Sequence, residues 1–277
     1  MIAGAGSGAN QRLAHSRFFG AYRAERWVGS RALAELSPTV PEHEVQQHTH
    51  DDAHFLLLLD GTYLSSASGM PAECTAQTLI LNPPGTFHRD RFRGCEGRFF
   101  TLSIPAEEWA SAAGQRALPG HSLKLSVPGM VRAMRLRWEL SNWHDASPLV
   151  VEDGIEALLD ECATDDPDRM KGIPSWLERA RQRLHDDWST TPCLADLAKE
   201  VDVHPVYFSR AFRQRYACSP GEYLRRCRLG HAMTLLRDKR LGLAEIALRC
   251  GYVDQSHFSN SFRRLFGTTP LQFRRQH

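Results

Sequence analysis

A duplication in the last third of the chain constrains the fold more than any other feature of the sequence. The segment Leu194-Ala-Asp-Leu-Ala198 recurs 49 residues later as Leu243-Ala-Glu-Ile-Ala247, and beyond the next turn the offset becomes 50. A one-residue slip at a turn is expected of two copies of one helical unit. The sequence therefore predicts a C-terminal region with two similar helical units. At the second offset the matched residues are Phe208/Phe258, Phe212/Phe262, Pro220/Pro270 and Tyr223/Phe273.

Each copy has the pattern of a helix-turn-helix. The first helix ends in a small residue, Ala198 or Ala247, where a second helix must cross closely. The second helix is predicted to start at His204-Pro205 or around Asp254-Gln255, because Pro suits a first helical position and Asp an N-cap. The phenylalanines at i and i+4 then face the core and leave a polar face exposed. The predicted exposed residues are Val206, Ser209, Arg210, Arg213, Gln255, Ser256, Ser259, Asn260 and Arg263.

These side chains suit the major groove of DNA. Arg makes bidentate contacts to guanine, and Asn and Gln make them to adenine. The charge agrees, since residues 171–277 hold 19 Lys/Arg against 10 Asp/Glu, whereas the first 170 residues are net acidic. The alternative is a plain helical bundle with a polar face, which the duplication and the charge together disfavour. Flanking residues predicted to contact phosphates are Arg213, Arg215, Arg263, Arg264, Arg274 and Arg275.

Residues 244–270, from Ala244-Glu-Ile-Ala through Gly251-Tyr-Val to Thr269-Pro270, resemble the signature of the AraC/XylS family of transcription regulators. The similarity runs from about Trp176 to Arg275. It implies a seven-helix domain in which a long helix, here Pro220 to Arg237, joins two helix-turn-helix units that enter successive major grooves. The implied base-contact positions are Val206, Ser209, Arg210, Gln255, Ser256, Ser259 and Asn260.

Three residues depart from that pattern or weaken a predicted helix. Asp202 stands where the family turn usually has Gly, and His204 stands where Ser or Thr usually caps the recognition helix. The first unit is therefore expected to be less rigid or to bind more weakly. Gly230 lies inside the predicted linker helix, where Gly costs up to about 1 kcal/mol relative to Ala.

The N-terminal half has a different pattern, with short apolar runs between turns. Phe55–Leu59 ends at Asp60-Gly61, Thr78–Leu81 ends at Asn82-Pro83-Pro84-Gly85, and Arg98–Ile104 alternates. These predict strands of a small barrel or sandwich. Residues 130–143 and 150–162 then read as helices, which either cover the barrel or pair with a second subunit as a homodimer. The predicted boundaries are a flexible tail and lead-in at 1–40, a cupin-like domain with its helices at 41–164, a linker at 165–175 and the DNA-binding domain at 176–277.

Four histidines stand out in this region. His48 and His50 are at i and i+2, which places both on one side of a strand, His54 follows, and His88 ends Pro83-x-Gly85-x-x-His88. This spacing is similar to the two cupin metal-binding motifs, although His54 stands near the usual Glu. Neutral imidazoles suit zinc, nickel, copper or ferrous iron. The alternatives are a small organic effector without metal, as the resemblance to AraC-type sensor domains implies, and no ligand.

Two functions remain after these observations. The first is a cytoplasmic transcription regulator that binds promoter DNA and RNA polymerase under control of a small-molecule or metal effector. The second is a metal-dependent cupin enzyme fused to a DNA-binding domain, which the histidines suggest but the missing cupin Glu and the lack of paired carboxylates disfavour. The longest apolar runs are far shorter than the roughly 20 residues of a membrane span, so no membrane partner is expected. Seven cysteines without C-x-x-C spacing favour a reducing compartment.

Overall fold

The computed structural model describes residues 11–67, 70–165, 174–190, 192–216 and 218–275. The chain divides into two compact units, Met1–Lys124 and Leu125–His277, called here the sheet unit and the helical unit. The predicted order of a strand-rich region followed by an all-helical one is confirmed. The elements of the sheet unit are β1 Gln11–Leu13, β2 Gly20–Val28, β3 Arg31–Pro38, β4 His48–His50, β5 Ala53–Leu64, β6 Glu73–Thr75, β7 Leu79–Asn82, β8 Arg91–Ile104, α1 Ala106–Arg116 and β9 Leu123–Lys124.

Strand β5 occupies the middle of the main sheet. The strand order is β2-β3-β8-β5-β7-β9, and β6 pairs with the far end of β5. The predicted strand Phe55–Leu59 lies in β5 and is buried along its whole length, which is why it reads as a continuous apolar run and does not alternate. The other two predicted strands coincide with β7 and the second half of β8. A separate parallel pair joins β1 to β4.

Residues 11–38 differ from the expectation of a flexible lead-in, because they form β1, β2 and β3. Strand β3 pairs with β8 from Ala32 opposite Ser103 to Leu36 opposite Phe99. Its run of small and apolar residues has no period-2 alternation, since both of its faces are covered. The alternation of apolar and polar residues that identifies a half-buried strand is therefore absent from the sequence of β3. The predicted loose tail, residues 1–10, lies outside the described residues.

The helical unit begins directly after β9. Two of its helices, α2 and α3, are those predicted at 130–143 and 150–162. The sequence grouped them with the N-terminal domain, but they lie in the same compact unit as the C-terminal helices. Most of the predicted linker, residues 166–173, lies outside the described residues. The bounds are α2 Val127–Ser141, α3 Ser147–Asp165, α4 Ser175–Asp186, α5 Leu194–Glu200, α6 Pro205–Tyr216, α7 Pro220–Leu236, α8 Leu243–Arg249, α9 Gln255–Phe266 and α10 Pro270–Arg275.

Helix α2 is buried on most of its circumference. Ten of its 15 residues are buried, including Arg137 and Glu139. It crosses α3 closely, since a Cβ added at Gly154 would lie 2.7 Å from Leu136 Cδ2. A helix enclosed on most sides offers little surface to a second subunit. Of the two candidate dimer helices, α3 keeps the larger exposed surface, with Leu149 71% exposed.

The two helix-turn-helix units repeat in packing as well as in sequence. Residues 206–216 of α6 and 256–266 of α9 have the same order of exposed, intermediate and buried positions. The Phe208–Phe212 ring centroids are 5.9 Å apart and the Phe258–Phe262 centroids 5.7 Å. This confirms that the duplicated phenylalanines face the core.

The turns of the two units take the same backbone conformation with different residues. Gly251 has φ +73°, and Asp202 in the first copy has φ +56°. Asp is among the few L-residues that adopt the left-handed region without severe strain, because its short side chain bonds locally. His204 Nδ1 accepts a hydrogen bond of 3.3 Å from Val206 N–H and so replaces the usual hydroxyl cap. Both departures therefore keep the local geometry of the motif.

Replacing Gly251 measures how strongly the turn of the second helix-turn-helix unit depends on glycine. A Cβ there would collide with the carbonyl oxygen of Ser189 and lie 2.9 Å from Arg228 Nη2. We expect Gly251→Ala to lower the free energy of unfolding by roughly 1–3 kcal/mol, since positive φ and a backbone collision both oppose it. The measurement is urea unfolding followed by circular dichroism. The control is Gly221→Ala, where nothing lies within 4 Å, and which should be neutral or slightly stabilising.

Candidate nucleic-acid interface and histidine cluster

The predicted DNA-contacting side chains lie on the solvent side of α6 and α9. Ser209 and Ser259 are half-buried at the edge of this face, and the other eight are exposed. Helix α9 is started by Asp254, whose Oδ1 accepts a 2.7 Å hydrogen bond from His257 N–H. Each helix thus presents one polar surface opposite its buried aromatic residues. The exposed residues are Val206, Arg210, Arg213, Gln255, Ser256, Asn260, Arg263 and Arg264.

Two of the predicted phosphate contacts are engaged inside the protein. Arg274 Nε donates to the carbonyl oxygen of Leu236 at 3.2 Å, where it caps the end of α7. The Arg215 guanidinium carbon lies 5.4 Å from the ring centroid of Tyr216. These two arginines therefore have structural contacts that their positions in the sequence did not reveal.

Arg228 connects the segment that precedes the first helix-turn-helix unit with the turn of the second unit. It lies in α7 and is 8% exposed. Its Nε and Nη2 donate to the carbonyl oxygens of Trp188 and Thr190, at 2.8 and 2.9 Å. Its guanidinium carbon lies 5.9 Å from the ring centroid of Tyr252, beside the turn of the second unit. One buried cation thus links the segment after α4 with the turn of the second unit.

The four histidines singled out in the sequence converge in the interior of the sheet unit. His48 and His88 exchange backbone hydrogen bonds of 2.8 and 3.0 Å, and Gly85 N–H donates to the His50 carbonyl oxygen. Gly85 has φ +75°, so the turn after Pro83 and Pro84 returns the chain to β4 and places His88 beside it. The ring centroids of His48 and His88 are 4.6 Å apart, and those of His50 and His54 are 4.2 Å apart.

The histidines form two overlapping groups that could hold a metal ion. His48, His50 and His88 each offer a ring nitrogen within 4.8 Å of the others, and His50 does the same with Asp52 and His54. His54 Nε2 accepts a 3.1 Å hydrogen bond from Asn82 Nδ2, and Asn82 Oδ1 accepts one of 2.7 Å from Ser122. That nitrogen is therefore already engaged, which separates His54 from the first group.

Burial determines the charge of this cluster. His48, His50, His54 and His88 are each at most 4% exposed, and desolvation is the largest cause that lowers the pKa of all four rings. Repulsion from neighbouring rings lowers the pKa of His50, His54 and His88 further. The rings are consequently neutral, which is the form that binds metals. Desolvation raises the pKa of Asp52.

Aromatic side chains enclose the remaining space next to the cluster. Phe18 lies with its ring centroid 5.0 Å from that of His50, and the Phe19 ring is 4.9 Å from that of His48. The cavity has a volume of about 40 Å³, which is room for an ion or a water-sized group and far below the usual range of small-molecule sites. Phe92, Phe99 and Tyr63 line its other side.

Sequence reasoning missed several residues of this site. Asp52 was detectable, because it continues the period-2 series from His48 and His50 to His54. Asp90 lies with Oδ2 3.4 Å from His88 Nδ1 and accepts a 2.7 Å hydrogen bond from the Tyr63 hydroxyl. It was detectable in the same way, two residues after His88. Phe18 gave no local signal, because its place depends on the long-range pairing of β1 with β4.

Comparisons with known proteins agree with both halves of the chain. The profile of an AraC-like ligand binding domain matches residues 34–153, and that of a helix-turn-helix domain matches residues 197–276. A relative described as the HTH-type transcriptional activator RhaS, from Salmonella arizonae, is 26% identical over 270 residues, covering 88% of this chain and 92% of its own.

Two solved structures are also similar. The C-terminal domain of AraT, a response regulator from Geobacillus stearothermophilus, is 34% identical, with a TM-score of 0.37, over 38% of this chain and 88% of its own. ToxT from Vibrio cholerae is 11% identical, with a TM-score of 0.38, over 91% of this chain and 98% of its own. Among the described residues, no helix is both long and apolar enough to span a bilayer.

The lowered histidine pKa values predict that acid weakens the fold. Above about pH 6.5 the folded and unfolded chains both carry neutral rings, whereas below it only the unfolded chain takes up protons. Each buried ring should then remove up to about 1.4 kcal/mol of stability per pH unit, until the pH reaches its own lowered pKa in the folded chain. Urea midpoints of metal-free protein between about pH 7 and 5 test this, because the slope of stability against pH counts the protons taken up on unfolding.

Two variants check that the pH dependence comes from the cluster. His50→Asn/His54→Asn should flatten the dependence of the urea midpoint on pH, because two titrating groups are removed. His43→Asn should leave it unchanged, since that ring is 82% exposed. A double variant as sensitive to acid as the wild type would contradict the prediction.

Proposed function

The chain belongs to the AraC/XylS family of transcription regulators, and on this basis we propose that α6 and α9 read two successive major grooves of promoter DNA while the histidine cluster binds the effector. The observation that carries the first part is the repeated face of the two helices, with matching exposure at an offset of 50 residues. Successive major grooves on one side of the duplex are about 34 Å apart.

The residues divide into two roles on DNA. Arg210 and Asn260 are long enough and exposed enough to contact base edges, with guanine and adenine as the favoured partners. Val206, Gln255, Ser256, Ser209 and Ser259 complete the two reading faces. Arg213, Arg263 and Arg264 lie further along the helices and contact phosphates, which adds affinity without sequence information.

A transition metal fits the chemistry of the cluster. His50 Nδ1 and His88 Nε2 are buried without a hydrogen-bond partner among the described residues, a state that a bound ion would relieve, while His88 Nδ1 faces Asp90. His48 Nδ1 lies 2.9 Å from the Gln46 carbonyl oxygen, which directs its other nitrogen inward. We assign the metal to His48, His50 and His88, with Asp90 orienting His88 and His54 beside the site. A bound ion would supply a fixed positive charge that anchors an oxygen or nitrogen of the effector.

We propose regulation and no catalysis for this chain. The metal-dependent enzyme alternative needs a free group that moves protons beside the ligands, and Asp90, the carboxylate beside His88, already accepts a hydrogen bond from the Tyr63 hydroxyl. The relative from Salmonella arizonae is described as an activator, which favours activation through contact with RNA polymerase. A homodimer through α3 and action in the cytoplasm, where the promoter DNA lies, complete the proposal.

The proposed roles on DNA predict different effects of two neighbouring substitutions. Asn260→Ala should lose about 1–3 kcal/mol of discrimination at one base pair. Arg263→Ala should weaken binding to every sequence alike and reduce the salt slope by about one. The probe is a duplex selected from a random pool by the full-length protein, compared with single-base variants. An equal loss on all sequences from Asn260→Ala would exclude base contact there.

The metal assignment predicts the metal content of the purified, untagged protein. Elemental mass spectrometry should find about one equivalent of a transition metal per chain. The triple variant His48→Ala/His50→Ala/His88→Ala should lose it, whereas His54→Ala should retain most of it, because Asn82 already engages that ring. A wild type without metal would contradict the assignment and leave the histidines to orient an organic effector or to serve a structural role.

A further inference from the structure

Helices α2 and α3 contact both recognition helices and the linker helix of the DNA-binding unit. Helix α2 packs along α7 and against α9, and α3 contacts α6. These contacts lie within the helical unit. A single pair of helices therefore touches the three elements that determine how far apart the two reading faces stand.

One buried carboxylate ties the pair to the linker helix. Glu161 of α3 is 6% exposed. Its Oε1 accepts from Arg132 Nε of α2 at 2.9 Å and from Arg226 Nη1 of α7. Moving Arg226 away would leave the buried Glu161 with one cationic partner instead of two, so separating α3 from the linker helix costs free energy.

A glycine in the linker helix allows α2 to approach closely. A Cβ added at Gly230 would collide with Val127 Cγ1, and Met130 Cε lies 3.5 Å from the same point. Gly230 is fully enclosed in α7, so its helix-weakening effect is the consequence of a helix crossing. The first turn of α2 rests directly on the linker helix at this position.

The contact with α9 lies away from its reading face. Leu265 lines a small pocket with Leu136 and Val150, and Trp138 lies 3.7 Å from a Cβ placed at Gly267. Both positions are at the C-terminal end of α9, whereas Gln255 and Asn260 remain exposed toward its start. The pair therefore supports the recognition helix without covering the side chains that meet DNA.

We propose that the α2–α3 pair sets the spacing of the two recognition helices, and that Glu161 and Arg226 are positioning residues for two-groove DNA binding. This inference rests on the proposed reading of two grooves. Two linked binding elements gain affinity from each other only when their spacing matches the sites. A pair that fixes the spacing raises affinity for correctly spaced sites and lowers tolerance of any other spacing.

The test compares two arginines that share the same carboxylate. Arg226→Met severs the tie between α3 and the linker helix, whereas the matched control Arg132→Met severs only the tie between α3 and α2. The full-length chain is used, and its circular dichroism and urea midpoint are recorded first. The probes are the selected duplex, two half-probes in which one half is replaced by unrelated sequence, and spacing variants lengthened or shortened by one base pair, about 3.4 Å.

Arg226→Met should weaken binding to the complete duplex roughly ten-fold or more, a usual size for coupling between sites, with the half-probes little changed. It should also reduce the penalty for altered spacing, an effect that simple destabilisation does not produce. Arg132→Met should show the smaller effect on both measures. Wild-type spacing dependence in Arg226→Met would overturn the proposal, as would equal losses on complete and half-probes.

A second pair of variants keeps the test decisive should Arg226→Met fail to fold. Gly230→Ala forces α2 away from α7 and should give the same selective loss, and Val127→Ala in the same chain should restore binding by removing the colliding methyl. No restoration would overturn the proposal. A wild-type chain that binds half-probes as tightly as the complete duplex would instead refute two-groove reading itself, which distinguishes the two failures.

Discussion

The aromatic stripe on each recognition helix is the constraint on which the DNA-binding unit depends. Three rings at i, i+4 and i+8 fix the rotation of each helix about its axis, and so determine which side chains face solvent. The geometry is the same in both copies, since the Phe212–Tyr216 centroids are 4.6 Å apart and those of Phe262–Phe266 are 4.5 Å apart. The residues proposed to read bases occupy the complementary positions, so their exposure follows from the packing of the rings.

Burial has a different role in the sheet unit, where it removes charge from a concentrated group of titratable side chains. Four protonated imidazoles at these distances would repel one another strongly in a medium of low polarity. Desolvation keeps them neutral and therefore leaves lone pairs available. The site combines this donor set with aromatic walls from Phe18, Phe19, Phe92 and Phe99, so that a polar end and an apolar side face one cavity.

Sequence alone predicted the parts of this structure that depend on local periodicity. The duplication gave both helix-turn-helix units and the start of each recognition helix, because turns and caps involve neighbouring residues. It did not predict β1 to β3, whose strand character depends on pairing with distant segments such as β8. Sequence alone also could not distinguish His54 from the other three histidines. The Asn82 side chain that bonds His54, and the Ser122 that bonds Asn82, lie far away in the chain. From the sequence, Gly230 is expected only to weaken its helix. In the structure, Val127 leaves no room there for a larger side chain.

The Glu161 contact has a thermodynamic consequence that reaches beyond the affinity for DNA. Coupling between two equilibria is reciprocal, so whatever factor the docked helices contribute to two-groove binding, bound DNA returns to the docking of the helices. Bound promoter DNA would then favour the docked position of α2 and α3 as an effector does. The spacing of the two half-sites in the operator would therefore influence how tightly α2 and α3 pack against the other helices of the unit.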